Sequence, residues 1–301
     1  TQDLHFLRRA RQKDPDIAFY QALQTPDAMR ELASIYRCDL SLIISNHEMQ
    51  QLKDIAAVPA ILLHYFPLAY TAQKDKKLPR FEQRRDFVSI GNFLHKPNAD
   101  AVLYLKQHLW PRIHKKLPSA KLHIYGAYCP DHIMKMSKPS DGFLVHGRAH
   151  DLQHVLSSAR VLLAPIRFGA GLKGKLLDAM HFGTPSVTSR IGAEGILTDQ
   201  PWPGVIFPDV EAPEEIASRA TTLYSDSQKW MQAHNLGLEY IIRYFDESQH
   251  TPGFIHKLNK VYKNLREHRS LNITGRMMRY HHMASTRYMS LWIQEKEKNK
   301  P

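Results

Sequence analysis

The sequence predicts an α/β fold, a parallel sheet flanked by helices, joined at its N-terminal side to a smaller, incomplete unit. Three observations predict it. Short apolar runs recur along the chain, most of them closing on Gly, Pro or Ser. Amphipathic stretches of helical length lie between them. The 301 residues, 43% of them hydrophobic, suffice for one large domain or two smaller ones. Short apolar runs alternating with amphipathic segments are the pattern of βαβ units, whose strands pair in parallel.

In chain order, residues 1–80 read mostly as helix followed by strand, helix and strand. Residues 30–38 are helical in pattern. Leu40-Ser41-Leu42-Ile43-Ile44-Ser45 is a short, β-branched apolar run suited to a buried parallel strand. Ser45 or Asn46 is placed to cap the next helix, with Glu48 in its first turn. Residues 58–65 are the next apolar run, and residues 73–80, polar and charged, read as a linker. Beyond the linker Asp86-Phe87-Val88-Ser89-Ile90 ends at Gly91-Asn92, Lys121-Leu122-His123-Ile124-Tyr125 at Gly126, and Phe143-Leu144-Val145-His146 at Gly147. Three more runs follow, at residues 160–164, 185–188 and 205–207. Residues 99–116 and 151–158 are helical between them. In such sheets ligands bind at the carboxyl ends of the strands, where these glycines fall. Gly91, Gly126 and Gly147 therefore either approach a ligand or end strands. The division expected is a partial N-terminal domain and linker over 1–80, a binding domain over 81–251 and a helical, basic tail over 252–301.

Composition excludes several classes. No run of about 18 apolar residues occurs, so no membrane-spanning helix is expected. Cys38 and Cys129 are too few and too far apart for a zinc or redox motif, and read as reduced thiols. The sequon Asn272-Ile273-Thr274 reads as incidental. The formal net charge of +12 favours anionic partners without choosing among them. Nucleic acid is not expected, because no zinc finger, homeodomain or RNA-recognition motif accompanies the charge. Because Thr1 is no initiator and leads straight into Asp3-Leu4-His5-Phe6, the chain reads as a fragment. In the tail, Met277, Met278, Tyr280, Met283, Tyr288, Met289 and Trp292 supply apolar surface. They fit a helix packed on the body of the protein or, alternatively, an amphipathic helix on a membrane surface.

The segment that carries chemistry is Pro165-Ile166-Arg167-Phe168-Gly169-Ala170-Gly171-Leu172-Lys173-Gly174-Lys175-Leu176-Leu177-Asp178-Ala179-Met180. It follows a buried run and opens a helix. Its glycines let backbone N–H groups approach a ligand, and a helix start presents unpaired donors at the positive end of a dipole. Together they suit a diphosphate, with Lys173 and Lys175 adding charge. Asp178, one to two turns into the helix, can accept hydrogen bonds from a ribose diol. The spacing is neither a Walker A loop nor a dinucleotide fingerprint.

This stretch resembles the donor-binding segment of family 4 (group 1) GT-B glycosyltransferases, which are retaining enzymes. The resemblance continues through His181-Phe182-Gly183-Thr184-Pro185 and Ile191-Gly192-Ala193-Glu194-Gly195. It also covers Ser89-Ile90-Gly91-Asn92-Phe93 to Pro97-Asn98, Ile124-Tyr125-Gly126 and His146-Gly147-Arg148, and so spans roughly residues 86–210. It implies a GT-B type fold with a Rossmann-like sheet and an activity that moves a sugar from a nucleotide-sugar donor to a hydroxyl acceptor. The donor site it implies comprises Gly91, Asn92, Gly126, Arg148, Gly169, Gly171, Leu172, Lys173, Gly174, Lys175, Asp178 and Glu194. Electrostatic stabilisation of the departing diphosphate, with Lys173 as the catalytic cation, would do most of the work. No metal and no cofactor are expected. In the family two acidic residues eight apart flank the donor. Here Asp178 matches the second and Ala170 the first, so one carboxylate is missing. Where the family uses an Arg and a Lys after the first strand, this chain has His95 and Lys96. Those departures fit either a subfamily in which Lys173 and Lys175 take over phosphate binding or a non-catalytic nucleotide-sugar-binding relative.

By the same resemblance the N-terminal residues close an acceptor-side domain. His5 lies where acceptor residues are expected, after a strand, and either orients the acceptor hydroxyl or is structural. The tail resembles the helical crossover that packs back on that domain. The implied acceptor is a carbohydrate or a lipid-linked molecule. The setting is polysaccharide biosynthesis in the cytoplasm, with peripheral contact at the inner face of the membrane.

Overall fold

The computed structural model describes residues 3–71, 78–208 and 212–298. Residues 73–77 of the expected linker lie outside the described residues. The N-terminal part contains α1 (His5–Lys13), α2 (Phe19–Ala22), α3 (Pro26–Arg37), β1 (Ser41–Ile43), α4 (Asn46–Asp54) and β2 (Leu63–Tyr65). Thr25 starts α3 by accepting the Ala28 N–H, with Pro26 as the first helical residue, where its missing N–H costs nothing. Strands β1 and β2 pair in parallel, Ser41 against Leu63. His5 begins α1, and no strand precedes it among the described residues. The expected strand before His5 is therefore not seen.

The larger sheet holds β3 (Arg85–Ile90), β4 (Leu122–Tyr125), β5 (Phe143–Gly147), β6 (Ala159–Ala164), β7 (Ser186–Ser189) and β8 (Gly204–Phe207). All pairings are parallel, in the order β5-β4-β3-β6-β7-β8. Each apolar run expected to be a strand is one. The order reverses between β3 and β6, the position where ligands bind in sheets of this kind. Alternation along β3 shows how the sheet is covered: Phe87 packs with Trp110 and Trp230 on one face, and Val88 packs with Leu162 and Leu176 on the other.

Helices α5 (Lys96–Tyr104) and α6 (Trp110–Lys116) are joined by a π-helical turn, Leu105–Leu109, immediately before Pro111. Proline has no N–H to continue an α-helical ladder and its ring clashes with the preceding turn, so the helix widens there. The remaining short helices are α7 (Asp131–Met134), α8 (Leu152–Ser158), which Asp151 caps, α9 (Gly174–His181) and α10 (Arg190–Ala193). Arg84, at the start of β3, is fully buried. Its guanidinium donates to the Pro79 and Phe182 carbonyls and to Thr184 Oγ1, and lies 5.2 Å from the Trp230 ring centre. Burial lowers it to about 10. It ties the end of the linker to the loop after α9.

After α11 (Pro213–Ser225) and α12 (Ser227–Tyr244) the chain returns to the N-terminal part through α13 (Glu247–Lys263), α14 (Leu265–Leu271) and α15 (Ile273–Lys298). Pro252, expected at a domain boundary, lies inside α13. Arg269 forms a bidentate pair with Asp39, and Asn272 donates to the Tyr36 carbonyl at 2.8 Å, fastening the tail to α3 and β1. Packing ends there. From Tyr280 onward almost every side chain of α15 is exposed, so the packed-helix expectation fails for the second half of the tail.

Candidate functional site

A cleft of about 340 Å³ opens at the carboxyl ends of β3, β4 and β5. Gly91 and Asn92 line it after β3, Tyr125 and Gly126 after β4, and Arg148 at its exposed rim after β5. Lys175 and Asp178, on α9, close the side nearest β6. Two glycines here are steric necessities. A Cβ on Gly126 would run into the Phe93 ring and the Gly91 carbonyl, and one on Gly91 would lie 2.6 Å from Asn98 Cγ. Gly147 has a φ of +73°, the left-handed region that favours glycine.

Polar groups in the cleft are held by neighbours on three elements. Asn98, in the first turns of α5, donates to the Asn92 carbonyl at 2.7 Å and accepts from Lys175 Nζ at 2.6 Å. Burial pulls the Lys175 ammonium down to about 7, and no described carboxylate pulls it back up. Asp178 Oδ1 accepts from the Tyr70 hydroxyl at 2.8 Å. Burial raises the Asp178 carboxyl, and burial together with the adjacent Asp178 raises the Tyr70 phenol. Lys175, which makes no ion pair among the described residues, thus shares the cleft with a carboxylate whose second oxygen remains for a hydroxyl donor. The arrangement suits an anion attached to a diol.

The bend from Gly169 to Lys173 lies elsewhere. It is buried beneath the N-terminal part. Ala170 is 8% exposed and belongs to the apolar cluster of Leu4, Phe6 and Leu52. Gly171 donates its N–H to Glu48 Oε1 at 2.6 Å. Lys173, 9% exposed, turns under the bend and donates to the Gly171 carbonyl at 2.9 Å. Burial lowers it to about 8, against the pull of Glu194 and Glu48. Of the two lysines expected on the diphosphate, only Lys175 reaches the cleft. The Gly171 N–H, expected in the same cradle, is already satisfied.

The bend sits in a charged seam between the two parts of the chain. Arg11 of α1 forms a bidentate pair with Glu194 at 2.6 and 3.0 Å and donates to the Gly169 carbonyl. His47 Nε2 is 3.5 Å from Glu194 Oε2. Burial raises the Glu194 carboxyl, but the Arg11 hydrogen bonds and Lys173 outweigh it and hold the group below its ordinary value. Burial pushes Glu48 up to about 7, against the Gly171 hydrogen bond and Lys173. Glu194 therefore serves the seam rather than the cleft. Leu172 is buried, and Gly174 begins α9.

His5 is not brought to the cleft. Its Nε2 lies 3.0 Å from Asp3 Oδ1, and it lines a separate surface groove with Glu31 and Arg37. His95 and Lys96 line a third hollow, of about 790 Å³, between α1 and the loop before α5. Among the described residues no cluster of His, Cys, Asp and Glu side chains is arranged to hold a metal ion. No described helix is long and apolar enough to cross a membrane.

Sequence reasoning missed Tyr70, Arg11, the partnership of Asn98 with Lys175 and the destination of Glu48. Of the two expected caps Ser45 is the one used: its Oγ accepts the Glu48 N–H. The Glu48 carboxylate, however, reaches across to the other domain. No local pattern announces that contact, nor those of Tyr70 and Arg11, which join residues more than 100 positions apart.

Residues 84–226 match the profile described as Glycosyl transferases group 1. That segment, a little under half of the chain, is similar to the group 1 glycosyl transferases. No curated protein sequence gives a significant match. Solved structures share the GT-B glycosyltransferase fold. A mutant of S. aureus TarM in complex with Fondaparinux, alpha-GlcNAc-glycerol and UDP superposes with a TM-score of 0.64 at 13% identity, covering 78% of this chain and 47% of that one. Anabaena HepE in complex with UDP and glucose gives 0.61 at 13% identity, covering 82% and 69%. Sucrose-phosphate synthase of Thermosynechococcus elongatus gives 0.60 at 15% identity, covering 85% and 66%. This chain thus spans about half the length of TarM. The group 1 segment contains the whole six-stranded sheet and every cleft residue except Tyr70, which enters from the N-terminal side.

Proposed function

We propose that this chain is the donor-binding part of a retaining glycosyltransferase that takes a nucleotide-sugar and passes its sugar to a hydroxyl acceptor. The observation that carries the proposal is Lys175, a half-buried lysine with no ion pair among the described residues, lining the cleft with Asp178 at the point where the strand order reverses. A diphosphate supplies the missing charge. The ribose donates to the Asp178 oxygen that Tyr70 leaves open, and the base lies toward Arg148. As the sugar–phosphate bond breaks, negative charge grows on the diphosphate, and Lys175 and the start of α9 stabilise it in place. UDP is the first nucleotide to test, because the TarM and HepE structures were solved with it.

The acceptor, a carbohydrate or a lipid-linked molecule, enters from the hollow between α1 and the loop before α5. Hexosyl transfer in the assembly of a polysaccharide is part of this reading. So is a cytoplasmic location at the inner face of a membrane. Ala170 does not argue for a non-catalytic relative: its methyl fills an apolar contact between the two parts, and the carboxylate nearest the bend comes instead from Glu48. Calorimetric titration with UDP, GDP and their sugars tests the proposal. Lys175→Ala is expected to weaken nucleoside-diphosphate binding by at least tenfold, since a charge-assisted contact contributes about 1.5–3 kcal/mol. Unchanged affinity removes Lys175 from the site.

A further inference from the structure

Helix α15 is mounted with its apolar side outward. Gly275 is buried against α3, and an added Cβ would collide with the Tyr36 carbonyl. One turn on, Arg279 donates to the Arg37 carbonyl at 3.0 Å. The helix therefore grips the body through a small residue and a charged one. At about 100° per residue, Met277, Tyr280, Ala284, Tyr288 and Leu291 fall within roughly 80° of arc on the opposite side, with Trp292 beside them; Glu295 ends the stripe, and Met283, Met289 and Ile293 are exposed outside it. Tyr280 is 72% exposed, Tyr288 70% and Trp292 58%. A helix in a globular protein ordinarily turns such a stripe toward the core.

Charge identifies the occupant. Over its whole length the helix carries Arg276, Arg279, Arg287, Lys296 and Lys298 against Glu295 and Glu297, a net charge of +3. A second copy of the chain would bring the same excess of positive charge against it, with +12 facing +12 overall. An anionic lipid surface complements them instead. Tyrosine and tryptophan sit favourably where acyl chains meet headgroups. Lys296 Nζ lies 5.0 Å from the Trp292 ring centre, so its charged end stands beside the aromatic ring that would enter the interface. We infer that α15 is a peripheral membrane helix that lays the stripe from Met277 to Leu291, with Trp292, into the interface of an anionic lipid surface. The inference concerns a surface remote from the donor cleft and does not rest on it.

The test is co-sedimentation of the full chain with vesicles of phosphatidylcholine alone or mixed equally with phosphatidylglycerol, read alongside tryptophan emission. Trp110 and Trp230 are buried and Trp202 is half-buried in a hollow beside α11 and α12, so Trp292, the exposed one of the four, dominates a change on lipid contact through α15. The chain is expected to sediment with the anionic vesicles, less so as salt rises, with a blue shift in emission. Tyr288→Glu with Trp292→Glu is expected to lower partitioning at least tenfold. Both side chains are exposed, so the melting temperature should stay unchanged. Equal sedimentation of the double variant, equal binding to phosphatidylcholine or no binding at all overturns the inference. A concentration-dependent dimer lost in the same variant assigns the stripe to a second copy and overturns it too. A nucleotide-induced rise in melting temperature, measured on both proteins, reports the donor site separately.

Discussion

Lys175 makes nucleotide binding depend on pH. Burial holds its ammonium at about 7 instead of the ordinary 10.5, with no described carboxylate to offset it. A bound diphosphate supplies that charge and restores the protonated form. At pH 7 half of the lysines are neutral, so binding takes up about half a proton; at pH 8 it takes up about 0.9. From pH 7 to 8 binding therefore weakens about fivefold, and above pH 8 each unit weakens it roughly tenfold, about 1.4 kcal/mol, until the bound-state value is reached. Calorimetry of UDP at pH 7 and 8.5, in two buffers of different ionisation enthalpy, measures the slope and the proton uptake together. Lys175→Arg keeps a charge that does not titrate in this range and is expected to flatten the slope. The same affinity at both pH values, with no proton linkage in the wild type, refutes the reasoning.

Asp178→Asn should weaken UDP by roughly tenfold yet leave inorganic pyrophosphate nearly unchanged; equal effects on the two ligands contradict a ribose contact. Glu48→Ala leaves the buried Gly171 N–H without its partner and should lower stability by about 2 kcal/mol in denaturant unfolding. Glu48→Gln should do less harm. Because burial raises Glu48 to about 7, its ionisation works against folding as pH climbs from 4.5 through 7, and the Gln variant should lack that decline. A Glu48→Gln unfolding curve that declines like the wild type over this window removes the raised carboxyl from the account. Gly126→Ala forces a methyl against the Phe93 ring and a backbone carbonyl, so a loss of about 2 kcal/mol and of UDP binding is expected. Wild-type stability in that variant would show that the strand ends are more pliable than this packing implies.

Much of the fold was legible because its central strands are buried on both faces. Runs such as Phe87-Val88 and Leu162-Leu163 are apolar without interruption, and each stops at a residue that breaks a strand. The helix α9 and its Lys-Gly-Lys entry were legible for the same local reason. What local pattern could not convey was which side of the bend faces outward. Lys173 and Lys175 are two residues apart and so point in different directions, one under the bend against the Gly171 carbonyl and one into the cleft. Ala170 looked like a lost acid until the packing of Leu4 and Phe6 around it was seen. The second half of the tail was the reverse case: its apolar residues suggested a packed helix, but the partner face of α3 is already taken by Gly275 and Arg279.

The central claim is that the cleft over β3, β4 and β5 receives a nucleoside diphosphate, and a structure of this chain determined with UDP tests it most directly. The account places a phosphate oxygen about 3 Å from Lys175 Nζ and a ribose hydroxyl within hydrogen-bond reach of Asp178. UDP bound against Lys173 and Gly171 after displacement of Glu48, or a vacant cleft at saturating UDP, contradicts it.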